Sequence, residues 1–310
     1  MIVDAHCDTL TRLLERECSF AEDIPDGHLD LSRLLKGGIK VQFFAAFVHP
    51  RFRHRGMARA LALLDAFHRL VLPSPEISLT TNAAEIQAAV GAGKVAGIIS
   101  VEGGEALEGD LVNLRTLYRL GVRALTLTWN ARNDLADGVG EGDRAGGLSR
   151  FGLSVIEAMN DLGMLIDVSH LAEPGFWDVL RESRAPVTAS HANCRALCDH
   201  PRNLTDEQIR ALADRGGVVG ITFVPDFVDR QAPDLDRLVD HIVHVLRVGG
   251  EECPGLGSDF DGFDGSLAGL PDASALGRIP EALVARGLTP AVVDKVLGGN
   301  FMHLIGDVLR

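Results

Sequence analysis

GMLIDVSHLAEPGFWDVLRESRAPVTASH, residues 163–191, decides how the rest of the chain is read. Its first part, 164–170, is an apolar run that reads as a strand and closes on polar groups, the last of them His170. Its last part, 186–191, does the same and closes on His191. Between them, 174–183 has the amphipathic pattern of a helix. Strands this apolar, joined through a helix, belong to a parallel sheet that is covered on both faces.

The same unit recurs in both directions. Towards the N-terminus, strands are predicted at 2–8 (IVDAHCD), 41–48 (VQFFAAFV), 95–102 (VAGIISVE) and 122–129 (VRALTLTW). Towards the C-terminus they are predicted at 217–224 (GVVGITFV) and 255–260 (GLGSDF), and the whole series has eight members. Amphipathic helical patterns occupy 56–71, 110–120, 150–162, 205–215, 234–248 and 274–286. Thr205-x-x-Gln208 reads as a capping box, and Thr289-Pro290 as an N-cap followed by proline in the first turn. Eight α/β units predict a closed (β/α)8 TIM barrel, not an open doubly wound sheet. No G-x-G-x-x-G follows the first strand, which argues against a dinucleotide fold. No Pro-, Ser- or Gly-rich linker divides residues 1–310, so one domain is expected. The Gly- and Asp-rich segments 130–149 and 261–274 are expected as loops over the barrel mouth, and the pocket's side-chain preference is expected to come from the loops 9–28, 130–149 and 225–234.

Composition narrows the partners. A hydrophobic content of 46% is ample for a large core, and a net charge of −13 excludes nucleic acid and anionic membranes as natural partners. The five cysteines (Cys7, Cys18, Cys194, Cys198, Cys253) have no zinc-knuckle spacing and read as free thiols of a reducing compartment. The first residues carry no basic, then apolar leader pattern, and no window nears about 18 uninterrupted apolar residues. The expectation is a cytoplasmic protein without a membrane span.

In a barrel of this kind the active site lies where the strands end. Five predicted strands end in groups that bind metal or move protons: His6 and Asp8, Glu102, His170, His191 and Asp259. Alternation along a strand turns His6 and Asp8 to one side and Cys7 to the other, so Cys7 reads as packing. Each residue alone has an ordinary structural reading. Together, in a barrel whose strands are otherwise aliphatic, they are costly unless paired or metal-bound. Three imidazoles and two or three carboxylates, without thiolates, suit Zn²⁺, with Mn²⁺ or Co²⁺ as substitutes. The set is too large for one tetrahedral ion and right for two, with Glu102 as the natural bridge. Two ions at about 3.5–4 Å share and acidify a water, which makes hydroxide available at neutral pH.

The motifs DAHCDTL (4–10), GIISVEGGEAL (97–107), LGMLIDVSH (162–170), PVTASHANCRAL (186–197), HPRNLTDEQIRALADRGGVVGITF (200–223), GLGSDFDGF (255–263) and LGGNFMHLIGDVL (297–309) resemble, in order, the renal (membrane) dipeptidase family, the M19 metallopeptidases of the amidohydrolase superfamily. The resemblance implies a binuclear zinc site at the C-terminal face, with His6 and Asp8 on one ion, His170 and His191 on the other, and Glu102 between them. It implies that Asp259 shuttles the proton and that Arg202, in HPRN, holds a substrate carboxylate. It also implies a small dipeptide substrate, tolerance of a D-residue at its C-terminal position, and a homodimer. One position departs from the family. Mammalian members carry a substrate-polarising histidine after TLT, where this chain has Trp129, whose indole N–H can donate a single bond.

The function expected is thus a zinc dipeptidase. Two other readings stand beside it: a cyclic amidase or lactonase on the same scaffold, for which Arg202 would have no carboxylate to hold, and a non-catalytic metal-binding barrel that senses a peptide.

Overall fold

The apolar runs form one parallel sheet, which a computed structural model describes over all of residues 1–310. Its strands are β1 (Ile2–Asp4), β2 (Ile39–Phe47), β3 (Ile77–Leu79), β4 (Val95–Glu102), β5 (Val122–Thr126), β6 (Leu165–Asp167), β7 (Thr188–Ala189), β8 (Val218–Ile221) and β9 (Pro254–Leu256). Each of β4 to β9 pairs with the next, β9 pairs with β1, β1 with β2, and β2 with β4, which closes eight strands into the expected (β/α)8 barrel. The ninth, β3, was not anticipated. It adds to residues 95–97 of β4, below the part of β4 that pairs with β5. No helix is long and apolar enough to cross a membrane.

Two apolar layers follow from the alternation of side chains along the strands. One side of the strands packs outward against the helices in a cluster of 67 buried residues. The other side, including Val3, Val41, Phe43, Ile98, Leu165 and Val218, joins Phe301, Leu304 and Ile305 of the helix Asn300–Val308. That helix fills the interior at the start of the strands, so the polar residues are left to the opposite end.

The strands are shorter than their apolar runs. The segment 164–170 is extended only to Asp167, 186–191 only over Thr188–Ala189, and 255–260 only to Leu256. The cause is side-chain competition for backbone donors. Asp167 Oδ1 accepts from the N–H groups of Ser169 (3.0 Å) and Ser190 (2.8 Å), and Asp4 Oδ1 accepts from Ser258 N (2.7 Å). The chain therefore turns before the functional residues are reached. A second difference lies in 9–28, expected as loop. Thr9–Arg16 is a helix that buries Thr9, Leu10 and Leu13, three residues at helical spacing. The segment 225–234 likewise opens with a short helix, Pro225–Val228. Helices also form at Leu31–Gly37 and Ala83–Gly91, each N-capped by a side chain, Asp30 and Asn82.

Helix Asp206–Ala213 carries the capping box read from the sequence, with Thr205 and Gln208 bonded reciprocally. Gly257, just past β9, approaches β7 so closely that a Cβ there would lie 1.7 Å from the Ser190 carbonyl oxygen. Thr205→Ala is expected to cost about 1 kcal/mol, and Gly257→Ala about 3 kcal/mol or more, because backbone has to move. Thermal unfolding of the two variants checks that order; an unperturbed Gly257→Ala protein would contradict the packing of β7 on β9.

Candidate metal centre

The polar residues reach one point by different local routes. His6 and Asp8 flank Cys7, which bridges to Phe260 and points its thiol to the Phe43 carbonyl at 3.3 Å. The alternation therefore holds past the end of β1, and Cys7 packs away from the site. Asp8 occupies the N-cap position of helix Thr9–Arg16 but makes no capping bond, so its carboxylate is free to face inward. Glu102 is the last residue of β4. His170 and Asp259 stand in turns beyond β6 and β9, in the left-handed region at φ 64° and 65°. For residues other than glycine that conformation costs on the order of 1–3 kcal/mol and is retained where surrounding structure enforces it. Gly262 makes room for the carboxylates: a Cβ there would meet Asp259 Oδ1 at 2.2 Å and Asp8 Oδ2 at 2.5 Å.

All six side chains are buried and converge. Glu102 divides them into two groups, one for each of its oxygens. Oε2 lies 3.5 Å from His6 Nε2, which is itself 3.6 Å from Asp8 Oδ2 and 3.8 Å from Asp259 Oδ1. Oε1 lies 2.9 Å from His170 Nε2 and 3.6 Å from His191 Nε2, and the two imidazole nitrogens are 2.9 Å apart. Ligand atoms around a tetrahedral zinc stand about 3.3 Å apart, given zinc–nitrogen and zinc–oxygen distances near 2.0–2.1 Å. The residues fit a cation on independent grounds as well. His6 Nε2 and Asp8 Oδ1 are buried without a hydrogen-bond partner, an arrangement that costs about 1–3 kcal/mol per group unless something else satisfies them.

The buried groups of the cluster shift one another strongly. Burial pushes the Glu102 carboxyl up, but His6 and His170 beside it hold it well below the usual carboxylate range. Burial alone would lower His6, yet the adjacent Glu102 and Asp8 raise it well above an ordinary imidazole. His170 is lowered to about 4 by burial and by the Arg202 charge, and burial and His6 push His191 down strongly. Those two imidazoles are therefore neutral, the form that ligates metal. Burial raises the Asp259 carboxyl well above its usual range.

Outer residues orient the ring nitrogens. Ser190 Oγ lies 2.8 Å from His191 Nδ1 and donates to Asp167 Oδ2 at 2.6 Å, so His191 donates from Nδ1 and keeps its Nε2 lone pair for the cluster. Asp261 holds the turn that carries Asp259: its buried carboxylate accepts from Thr9 Oγ1 (2.6 Å) and from His28 N (2.8 Å), and Arg12 Nε lies 3.2 Å away. Sequence reading missed Asp167, Ser190 and Asp261. All three lie inside the quoted motifs, Asp167 three residues before His170, Ser190 next to His191 and Asp261 two after Asp259, and that proximity was the one available signal.

A cleft of about 250 Å³ opens over the cluster. Asp8, Glu102, His170 and Asp259 form its floor, and Phe47, Trp129, Phe227 and Phe263 its apolar walls. Trp129 is half-buried in that wall, its ring 6.0 Å from His170 and 5.4 Å from His49. Arg202 does not line the cleft. It lies buried behind it, with its guanidinium 5.6 Å from the Phe227 ring, Nη2 donating to the His191 carbonyl at 3.0 Å, and Nε buried without a partner.

The chain as a whole is similar to known proteins. The sequence model of the membrane dipeptidases (peptidase family M19) matches residues 1–309. The dipeptidase verJ of Clonostachys rogersoniana is 34% identical over 294 residues, which span 91% of this chain and 76% of the relative. Among solved structures, the dipeptidase AC, a family M19 metallopeptidase, superposes with a TM-score of 0.92 at 30% identity, covering 99% of this chain and 98% of that one. A metallopeptidase from Rhodobacter sphaeroides, liganded with a phosphinate mimic of the dipeptide L-Ala-D-Ala, superposes with a TM-score of 0.91 at 28% identity over 99% of both chains. This chain therefore belongs to peptidase family M19, the membrane dipeptidases, and is an enzyme that hydrolyses peptide bonds.

Proposed function

We propose that the chain holds two zinc ions, replaceable by Mn²⁺ or Co²⁺, and hydrolyses small dipeptides with a free C-terminal carboxylate. The observation that carries the binuclear reading is the split at Glu102: Oε2 faces His6 and, beyond it, Asp8, while Oε1 faces His170 and His191. Such a pair of cations, when bound, acidifies a shared water and polarises the scissile carbonyl. The protein does the rest. Asp259, 3.8 Å from His6 at the edge of the floor, is placed to take the proton of the attacking water and return it to the leaving amine. Its burial keeps the carboxyl above the usual range, which suits a group that must both accept and donate.

Arg202 is the group we assign to the substrate carboxylate, which has to pass the cleft lining at Phe227 to reach the guanidinium behind it. Burial lowers its pKa to about 10, so it stays cationic at neutral pH, and its unpartnered Nε leaves part of the guanidinium fork available. A buried cation of this kind favours a carboxylate-bearing substrate over a neutral cyclic amide or lactone. Trp129 closes the cleft wall and contacts the substrate through its ring. A D-residue at the C-terminal position is supported by the L-Ala-D-Ala mimic bound to the Rhodobacter sphaeroides relative.

Three outcomes test this reading. Elemental analysis of protein loaded with zinc should give two ions per chain, with chelation abolishing turnover and zinc restoring it; a single ion at saturation defeats the binuclear site. Asp259→Asn should lower kcat by about 10²–10⁴-fold with both metals retained, and near wild-type turnover would remove Asp259 from proton transfer. Arg202→Ala should cost about 2–3 kcal/mol in kcat/KM for free dipeptides and little for C-terminally amidated ones; equal losses on both would end the carboxylate role.

A further inference from the structure

Asn130 follows Trp129 in the segment after β5 and lines the cleft beside Glu102 and His170. Its Oδ1 lies 2.8 Å from His170 Nδ1. The direction of that bond follows from the other ring nitrogen. His170 Nε2 is the one turned to the cluster, 2.9 Å from both Glu102 Oε1 and His191 Nε2. A neutral imidazole that keeps its lone pair at Nε2 carries its proton on Nδ1. His170 therefore donates and Asn130 Oδ1 accepts. With the oxygen engaged, the amide plane is set, and Nδ2 retains two protons that no protein group accepts. The backbone is held too: Gly140 N donates to the Asn130 carbonyl at 2.7 Å.

The rest of the polar lining gives this amide its significance. Asp8, Glu102 and Asp259 are carboxylates, which repel a developing negative charge, the Asp261 carboxylate is turned to Thr9, His28 and Arg12, and His170 is turned to the cluster. The neutral donors left are Asn130 Nδ2, the Trp129 indole N–H and the Thr11 hydroxyl. Of these, Asn130 alone is tied by a hydrogen bond to one of the converging side chains, which brings its amide within one side chain of the reacting centre.

We propose that Asn130 serves twice: Oδ1 fixes the tautomer and orientation of His170, and Nδ2 donates a hydrogen bond to the substrate carbonyl oxygen as that oxygen gains charge. The donor role rests on the dipeptide reading above; the orienting role does not. Donors aimed at developing charge in a site closed to water are worth about 10²–10³ in kcat, and partners that orient ligating histidines are worth about 10–100-fold in metal affinity.

Two variants separate the roles. Asn130→Asp keeps the acceptor oxygen and loses both amide protons, whereas Asn130→Ala loses both. Zinc affinity is measured by competition with a chromophoric chelator. Turnover is measured on L-Ala-D-Ala, and affinity for a phosphinate mimic of that dipeptide by calorimetry. The expected result is that both variants lose about 10²–10³-fold in kcat and a matching factor in phosphinate affinity, with KM changed less. Zinc affinity should fall by about 10–100-fold in Asn130→Ala only. A kcat loss in Asn130→Asp alone would be charge repulsion and would overturn the donor role, as would unchanged phosphinate binding. Wild-type zinc affinity in Asn130→Ala would overturn the orienting role. A zinc-loaded wild-type protein that cleaves no dipeptide overturns the substrate reading and the donor role with it, and the zinc measurements still decide the fate of the orienting role.

Discussion

Glu102 and the four imidazole and carboxylate partners around it set the terms for the whole molecule. A buried carboxylate is expensive by itself, and here it ends a strand that is buried along its full length. Its cost is offset because three imidazoles, His6, His170 and His191, stand against its oxygens. That arrangement works only if the residues come from separate strands with their ends at one level. A closed barrel provides that geometry: its parallel strands all finish on the same face, and its other end is filled by Phe301, Leu304 and Ile305.

Hydrogen bonds from surrounding polar groups orient several side chains of the site. Asp167 is bonded to two backbone N–H groups, to Thr126 Oγ1 at 2.5 Å and to Ser190 Oγ at 2.6 Å, and through Ser190 it sets His191. Asp4 does similar work for Ser258, whose hydroxyl donates to it at 2.7 Å one residue before Asp259. These buried carboxylates never touch the cleft. They hold the backbone in turns that a strand would not adopt, and they place His170 and Asp259 in left-handed conformations that point their side chains inward.

Much of this is legible in the sequence alone. Eight apolar runs, the amphipathic segments between them and the capping box at Thr205 were enough to name the barrel, because burial on both faces leaves a strand little choice of composition. The six polar residues at strand ends were legible for the same reason: His6, Asp8, Glu102, His170, His191 and Asp259 stand out against aliphatic neighbours. Less legible was where each strand stopped. Thr188–Ala189 is much shorter than the run 186–191, because the apolar pattern continues through residues whose backbone groups are taken by Asp167. The strand Ile77–Leu79 was too short to show above its surroundings, and the helix Thr9–Arg16 lacks the side-chain N-cap that marked the equally long Asp206–Ala213.

The sequence by itself determined the class of fold, the residue types at the barrel mouth and the chemistry those types can perform, since these follow from local pattern and side-chain identity. Only the tertiary structure decided which oxygen of Glu102 faces which histidine, that Arg202 lies buried behind the cleft, and that Asn130 holds His170 by one end of its amide. Those are relations between residues tens of positions apart, set by how the turns after each strand pack on one another, and no periodicity along the chain encodes an angle between two loops.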